Sequence, residues 1–537
     1  MTDFDAALAT LFSDWAPDEP GGVAAVLHGD RVVARRAFGL ASLEHGVANA
    51  LATRFHIASV TKTFVGAALA MLAHQDRLDL DADAHTIIPE LAVPGPITLR
   101  RLAGMTAGLR DAMEMMKLRG VWYRYPRCEA DLTGLALAQT EPSYPAGERC
   151  VYTNIQFNLC ALAIARIVGK PFAEALDELI LTPLGMTRTL IRDDPETVTD
   201  QLANPYIKDA GTWRRGAWAF GISGAGGLVS GLDDLIRWNL ALRAGAVNGV
   251  PITAMTERGT LADGTPTNYG LGLGIRTWRG LTVWVHGGSL PGYKANFARV
   301  PERDLGFVLL SNRDDADPYA RLRRLLELTL GETVPAPPAP DTGLDAATLD
   351  ALSGTFVDTV SGEPLTLTRT EAGLTADKLG FSLSLAPQGN GVFHDGWANF
   401  DTSIRVERAP GGPRLHVDFG GQRGVYLPAN PPVVSDTERA AYTGRYVCPA
   451  LATEHTVFER NSSLVVRFGP AYHEEAELKL SPLAPDLFYG KTGRPGWVSQ
   501  HVLRFTRAGG GITGYRISSD RLQGGRNDTL ACRNARL

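Results

Sequence analysis

Residues 1–333 of the sequence predict an α+β domain, an antiparallel sheet flanked by helices, and the remainder predicts two small antiparallel β-barrels. Three observations carry this. Strand-like runs stand at both ends of the first segment with helical patterns between them, so one sheet must be assembled from both ends. VPAPPAP (334–340) is a stiff, extended spacer. Beyond it LTLTRT, SLSLAP, SIRVERAP and RLHVDFGG are short alternating runs cut by Gly, Pro and Asn.

Taken in order, GGVAAVLHGDRVVARRAFG (21–39) reads as a hairpin about a His-Gly-Asp turn. HIASVTKTFVGAALAMLAHQ (56–75) is a helix so uniformly apolar or small from Thr63 to Ala73 that most of its sides must be buried. NIQFNLCALAIARIVG (154–169) is a helix stopped by Gly169, and GLDDLIRWNLALRAG (231–245) one whose Asp233 and Asp234 suit its first turn. LTVWVHGG and YKANFARVPERDLGFVLLSN return to strand, and DPYARLRRLLELTLG (317–331) closes the domain as a helix. The linker covers 334–344, and a second proline break, PANPPVVSD (428–436), divides the rest into barrels over 345–430 and 436–537. LSGTFV (352–357) and YTGRYV (442–447) open the two halves alike.

The length of 537 residues allows roughly three or four domains. A net charge of −5, without a long basic run or a basic–aromatic stripe, points away from nucleic acid. The acidic start lacks the basic, apolar and small-residue regions of a secretory signal, and the apolar run after Lys62 is about half of what spans a bilayer. A cytoplasmic location and no membrane partner are the expectation. Five cysteines, none in a C-x-x-C pair, and no H-E-x-x-H argue for free thiols and against a metal site; no cofactor is expected.

The chemistry begins where a hydroxyl and an amine, Ser59 and Lys62, stand three residues apart at the head of the buried helix. Positions i and i+3 share a helix face. A lysine there is expensive to keep charged, because desolvation and the positive end of the helix dipole both disfavour an ammonium. A neutral lysine can accept the proton of a serine, which needs such a base to become a nucleophile. With 20 serines and 8 lysines, chance supplies about 0.3 Ser-x-x-Lys matches, so the spacing alone is weak; the buried setting strengthens it.

Two further stretches add to it. CVYTNIQFN (150–158) places Tyr152 and Asn154 before a helix, and WVHGGSLPGYKANF (284–297) places His286, Gly287 and Gly288 at a strand end. Ser-x-x-Lys, Tyr-x-Asn and His-x-Gly in this order resemble the serine penicillin-recognising family, whose members include class C β-lactamases, DD-peptidases, esterases and D-aminopeptidases. LRRLAGMTAGLRD, YPAGERCVYTN, PLGMTRT and GAGGLVSGLDDLIRW resemble its framework, so the likeness runs over about residues 10 to 331. It implies a β-lactamase/transpeptidase-like catalytic fold. It also implies that Ser59 is acylated, that Lys62 takes its proton, and that Tyr152, with its phenolic pKa lowered by neighbouring cations, is a second proton carrier. Asn154 would hold Lys62 and the substrate amide, and His286 would stand where relatives have a lysine. The N–H groups of Ser59 and Ser289, beside Gly288, would form the oxyanion hole.

With two barrels after the catalytic domain, the architecture is similar to the bacterial D-stereospecific aminopeptidases. The resemblance then implies lipocalin-like barrels, a homodimer, small peptide or amide substrates with an N-terminal D-residue, β-lactams as inhibitors, and a loop of the far barrel entering the active site. PDLFYGKTGRPGWVS (485–499) is the expected loop, with Asp486, Lys491, Arg494 and Trp497 as specificity residues and Asp486 a candidate for the substrate ammonium by charge alone. Its Lys-Thr-Gly lies too far along the chain to be the family's third motif. YGLGLGI (269–275) lacks the setting of a dinucleotide loop, and no G-x-S-x-G elbow occurs. The alternatives are an esterase, β-lactam hydrolase or DD-peptidase of the same fold, and a catalytically dead peptide-binding protein.

Overall fold

The computed structural model describes residues 3–122, 127–335, 342–371, 373–378, 381–395, 402–419, 421–469, 476–494, 497–519, 521 and 529–534. Its catalytic-domain sheet is antiparallel and six-stranded, in the order Gly274–Trp278, Leu281–Leu290, Tyr293–Val300, Leu305–Ser311, Gly22–His28, Arg31–Phe38. The first hairpin therefore joins the last strands, with Gly22 opposite Ser311 and His28 opposite Leu305.

The strand Gly22–His28, fifth in this order, is apolar and buried from Gly22 to Leu27 because both faces are covered. Val23, Ala25 and Leu27 enter the large core shared with the helices between the strands. Ala24 and Val26 face the other way, against Leu8 and Leu11 of helix Phe4–Leu11 and Leu322, Leu325 and Leu326 of helix Pro318–Leu330. This is a sheet between two helical layers.

The helix Thr61–His74 is buried from Thr61 to Leu72, as its lack of a polar face requires. Phe64 stacks on Trp238 at 4.3 Å between ring centroids, and the Trp238 indole N–H donates to Thr63 Oγ1 at 3.0 Å. Its partner is helix Leu232–Ala244, which ends at Gly245 in the left-handed region (φ 68°); Ile155–Val168 ends likewise at Gly169 (φ 77°). Two glycines set how closely the 269–275 strap lies on the lysine-bearing helix. A Cβ on Gly66 would stand 1.9 Å from Leu271 O, and one on Gly272 (φ 72°) 2.1 Å from Lys62 O. The Gly-x-Gly-x-Gly of that stretch serves close packing.

Eight strands from Gly354–Asp358 to Gln422–Pro428 close into a barrel, the first pairing with the last through Phe356 and Pro428. Phe356, Leu365, Leu383, Phe393, Ile404, Leu415 and Tyr426 are among the side chains that fill it. The last region is a nearly closed nine-stranded antiparallel barrel; each barrel opens with a short helix, Ala346–Asp350 or Asp436–Tyr442, leading into Gly354–Asp358 or Gly444–Cys448. The second barrel rests on the catalytic domain. The Leu118 carbonyl at the end of helix Ala112–Leu118 accepts from His455 Nε2 (2.6 Å) and Thr453 Oγ1 (3.1 Å), while Tyr515 donates to His455 Nδ1 at 2.6 Å. Cys150, Cys160 and Cys448 are buried free thiols and Cys128 an exposed one. No helix among the described residues is long and apolar enough to cross a membrane.

Candidate active site

Ser59 lies on a single 3₁₀ turn, Ala58–Val60, that precedes the buried helix. The turn is strained: Ala58 has φ 49°, which a residue with a Cβ adopts at a cost. Thr61 pins it, donating from Oγ1 to Ala58 O (2.7 Å) and accepting from Leu228 N (3.1 Å). One helical step on, Lys62 is wholly buried, and its Nζ lies 3.2 Å from Ser59 Oγ, 2.9 Å from Asn154 Oδ1 and 2.5 Å from Ala225 O. Burial drives its pKa well below the ordinary lysine value, with the Arg521 charge acting the same way and Asp111 against it. A neutral amine has two N–H groups and one lone pair. The Asn154 and Ala225 oxygens accept the two N–H groups, so the lone pair is left to receive the Ser59 hydroxyl proton.

Asn154 is itself held. Its backbone N–H donates to Asp111 Oδ2 at 2.6 Å, and its Nδ2 rests 3.5 Å from Met113 Sδ, which turns Oδ1 toward Lys62. Asp111 is fully buried and caps helix Ala112–Leu118 through Met113 N (2.9 Å) and Glu114 N (3.4 Å).

Tyr152 places its ring 4.9 Å from Lys62 Nζ. The expected depression of its pKa does not occur. Burial raises it, and the offsetting pull of the Ser59 hydroxyl and the Arg521 guanidinium is smaller, so the group is a phenol in the resting site. His286 is buried and also uncharged: burial, with Lys62 and Arg276 nearby, holds its pKa down to about 3. Its Nδ1 lies 2.8 Å from Gly287 O, which can only accept, so Nδ1 carries the proton; Nε2 accepts from Tyr269 Oη at 2.7 Å. His286 thus packs against Tyr152, 6.2 Å between centroids, and does not reproduce the charge of a lysine.

The strand Leu281–Leu290 runs against the Ser59 turn so tightly that a Cβ on Gly288 would stand 2.0 Å from Ile57 O. Gly287 N–H donates to Tyr319 Oη at 2.9 Å, and the exposed Ser289 accepts from Lys294 Nζ at 2.7 Å. A cleft of about 680 Å³ is lined by Ser59, Tyr152, Asn154, His286, Gly288 and Ser289, with Ser384 and Gln422 of the first barrel and Ser499 and Arg521 of the second.

The 485–499 stretch departs from expectation. It forms most of a hairpin, Leu487–Arg494 paired with Trp497–Ala508, rather than an irregular loop. Asp486 stands at its base and does not line the cleft; there Arg507 Nε lies 2.9 Å from its carboxylate and Tyr442 donates at 2.7 Å, so the carboxylate is engaged in an ion pair. Lys491 is exposed and does not line the cleft. The side chains of Arg494 and Trp497 lie outside the described residues. The hairpin reaches the cleft through Val498 and Ser499, and Lys117 Nζ donates to Ser499 Oγ. Lys117 also pairs with Glu114 at 2.7 Å in a buried bridge, and Ser519 donates to Glu114 at 3.2 Å.

Three residues at the site escape sequence reasoning. Tyr269 was hidden in a glycine-rich stretch whose spacing signalled only packing. Asp111 had the signature of a helix cap, and Arg521 lies far along the chain in a β-rich region without a motif.

A serine hydroxyl 3.2 Å from a buried amine, beside a phenol and a glycine-lined strand edge, is a geometry that suits serine acyl transfer. A family model described as Beta-lactamase matches residues 9–331. The chain belongs to that family, and it is a serine hydrolase of the penicillin-recognising type. Among similar proteins is a D-aminopeptidase of Cereibacter sphaeroides, 27% identical over 515 residues and 93% of each chain. A D-aminopeptidase of Gluconobacter oxydans is 28% identical over 350 residues, 64% of each. Among solved structures, the octameric penicillin-binding protein homologue of Pyrococcus abyssi has TM-score 0.56 at 19% identity, over 79% of this chain and 99% of that one. The D-amino acid amidase of Ochrobactrum anthropi SV3, solved with D-phenylalanine, has TM-score 0.52 at 20% identity, over 62% and 100%. The last two likenesses concern the fold.

Proposed function

We propose that the chain is a D-stereospecific aminopeptidase, releasing an N-terminal D-residue from peptides and amides through an acyl-enzyme. The observation that carries the chemistry is the 3.2 Å approach of Ser59 Oγ to a wholly buried Lys62 whose other partners are both acceptors. The end-to-end likeness to proteins named D-aminopeptidase supports the substrate class. Ser59 attacks the amide carbonyl as its proton passes to Lys62. The oxyanion is received by the N–H groups of Ser59 and Ser289, a contribution that counts because the charge develops only in the transition state.

Tyr152, a phenol at rest, fits the acid role: it gives its proton to the departing amine and is refilled from the Lys62 ammonium. Asn154 orients Lys62 and the substrate amide, and His286 backs Tyr152. Water, activated in the reverse proton path, then frees the D-residue. Residues 1–333 form the hydrolase unit of this proposal and the two barrels shape access to it. A homodimer, a cytoplasmic setting and acylation by β-lactams belong to the same reading.

The test is a cleavage panel of D-Ala-para-nitroanilide, its L-isomer, short acyl esters and nitrocefin. The proposal expects turnover of the D-anilide and loss of that turnover in Ser59→Ala. Hydrolysis of only the esters or nitrocefin would overturn it.

A further inference from the structure

Among the described residues of the last barrel, Arg521 brings its charge to the reacting groups. Arg521 lays its guanidinium on the ring of Tyr152, 5.4 Å from the centroid, and lines the cleft beside Ser59. Its backbone carbonyl accepts from Asp111 N at 3.2 Å, and Asp111 holds the backbone of the Asn154 that orients Lys62. Lys62 Nζ lies 4.9 Å from the same ring. One aromatic ring thus stands in contact with both the amine that must stay neutral and the cation that cannot lose its charge.

We propose that Arg521 is a positioning residue of the active centre: with its backbone anchored by Asp111 and its guanidinium on the Tyr152 ring, its charge works with the burial of Lys62 to leave that amine ready to take the proton of Ser59. The inference rests on the reading of Ser59 and Lys62 as nucleophile and base. A cation close to an amine raises the cost of a second positive charge there, and the low polarity around Lys62 lets the effect carry.

Among the described residues, charged and titratable groups around Arg521 include the following. Lys62 and Tyr152 belong to the catalytic centre; Asp111 and Glu114 belong to the start of helix Ala112–Leu118. Glu114 is turned to Lys117 and Ser519, and buried His501 of the last barrel stands by that pair. Asp111 pulls the opposite way on Lys62, but its oxygens are already engaged by Asn154, Met113 and Glu114 N–H groups. Burial is the main cause of the free amine at Lys62; Arg521, supplied by the second barrel, is the charge that acts with it, against Asp111.

The two distances to the Tyr152 ring put the charges no more than about 10 Å apart, which at an effective dielectric of about 20 corresponds to a shift on the order of one pH unit. The experiment is the rate of Ser59 labelling by a fluorophosphonate, followed by intact mass against pH, in the full chain and in Arg521→Gln and Arg521→Lys. This readout does not depend on the natural substrate.

The expected result is an acid limb displaced upward by about one unit in Arg521→Gln. Its labelling should be roughly tenfold slower below the limb and converge with the parent above it, and Arg521→Lys should restore most of the parent profile. A uniform loss at every pH, or a limb that does not move, overturns the inference and leaves Ser59 and Lys62 in place. A parent chain that is not labelled on Ser59 overturns the underlying reading and the inference with it.

Discussion

Replacing Lys62 with Met separates the lysine's catalytic value from its cost to the fold. In the unfolded chain the amine is protonated up to its ordinary value of 10.5; in the folded chain burial has driven the proton off. Folding at pH 7 must therefore release that proton, at a cost of several kcal/mol. Met fills a similar volume and escapes this cost, but it leaves Asn154 Oδ1 and Ala225 O without their donor, at about 1–3 kcal/mol each.

The two effects nearly cancel at pH 7, so the pH dependence is the discriminating quantity. The unfolded state binds one more proton than the folded state, so parental stability rises with pH until 10.5. Between pH 7 and pH 9 it should rise relative to Lys62→Met, with a limiting slope of about 1.4 kcal/mol per pH unit for one proton. Urea unfolding of both chains at the two pH values measures this, while labelling of Ser59 should fall by about 10²–10⁴. A stability difference that stays constant from pH 7 to pH 9 would mean that the folded lysine keeps its proton. The general-base argument would then fail.

Two other substitutions test the surroundings. Tyr269→Phe keeps the edge-on ring contact with His286 but removes the hydroxyl donating to its Nε2. It should cost about 1–3 kcal/mol in urea unfolding, with slower Ser59 labelling as the imidazole loses its fixed orientation. Glu114→Gln strands the Lys117 ammonium in a buried place and should cost about 3–5 kcal/mol, with faster proteolysis at the seat of the second barrel; Glu114→Gln with Lys117→Met should recover much of the loss.

Much of this could be read from the chain because it is local. Ser59 and Lys62 are three residues apart, and that spacing fixes a shared face whatever the rest of the fold does. The Thr61–His74 helix announced its burial by having no polar side, and the hairpin at 22–38 by its turn and β-rich runs. The barrels followed from strand length and turn residues, which depend on near neighbours. Tyr152 could be picked out by its motif, but the direction of its pKa could not. Its pKa is set by how much water the fold removes, and a phenol near cations rises rather than falls when that removal is nearly complete.

What stayed hidden depends on contacts between distant parts of the chain. Asp486 was proposed by charge alone, yet a charge does not say which partner it faces. Arg507, 21 residues on, claims it in a strand pairing that neither residue's type announces. Arg521 is the converse. Among the arginines that decorate the β-rich region nothing marks it; contacts with distant residues place it, the Tyr152 ring under its guanidinium and Asp111, 410 residues earlier, donating its N–H to its carbonyl. Several described arginines of these barrels pair with acidic side chains near the surface, where a pair contributes at most about 1 kcal/mol. One placed against the ring that also faces a buried amine acts in a less polar medium, where the same charge carries several times further. The energetic weight of a residue here follows from the dielectric around it, and that is a property of the assembled fold.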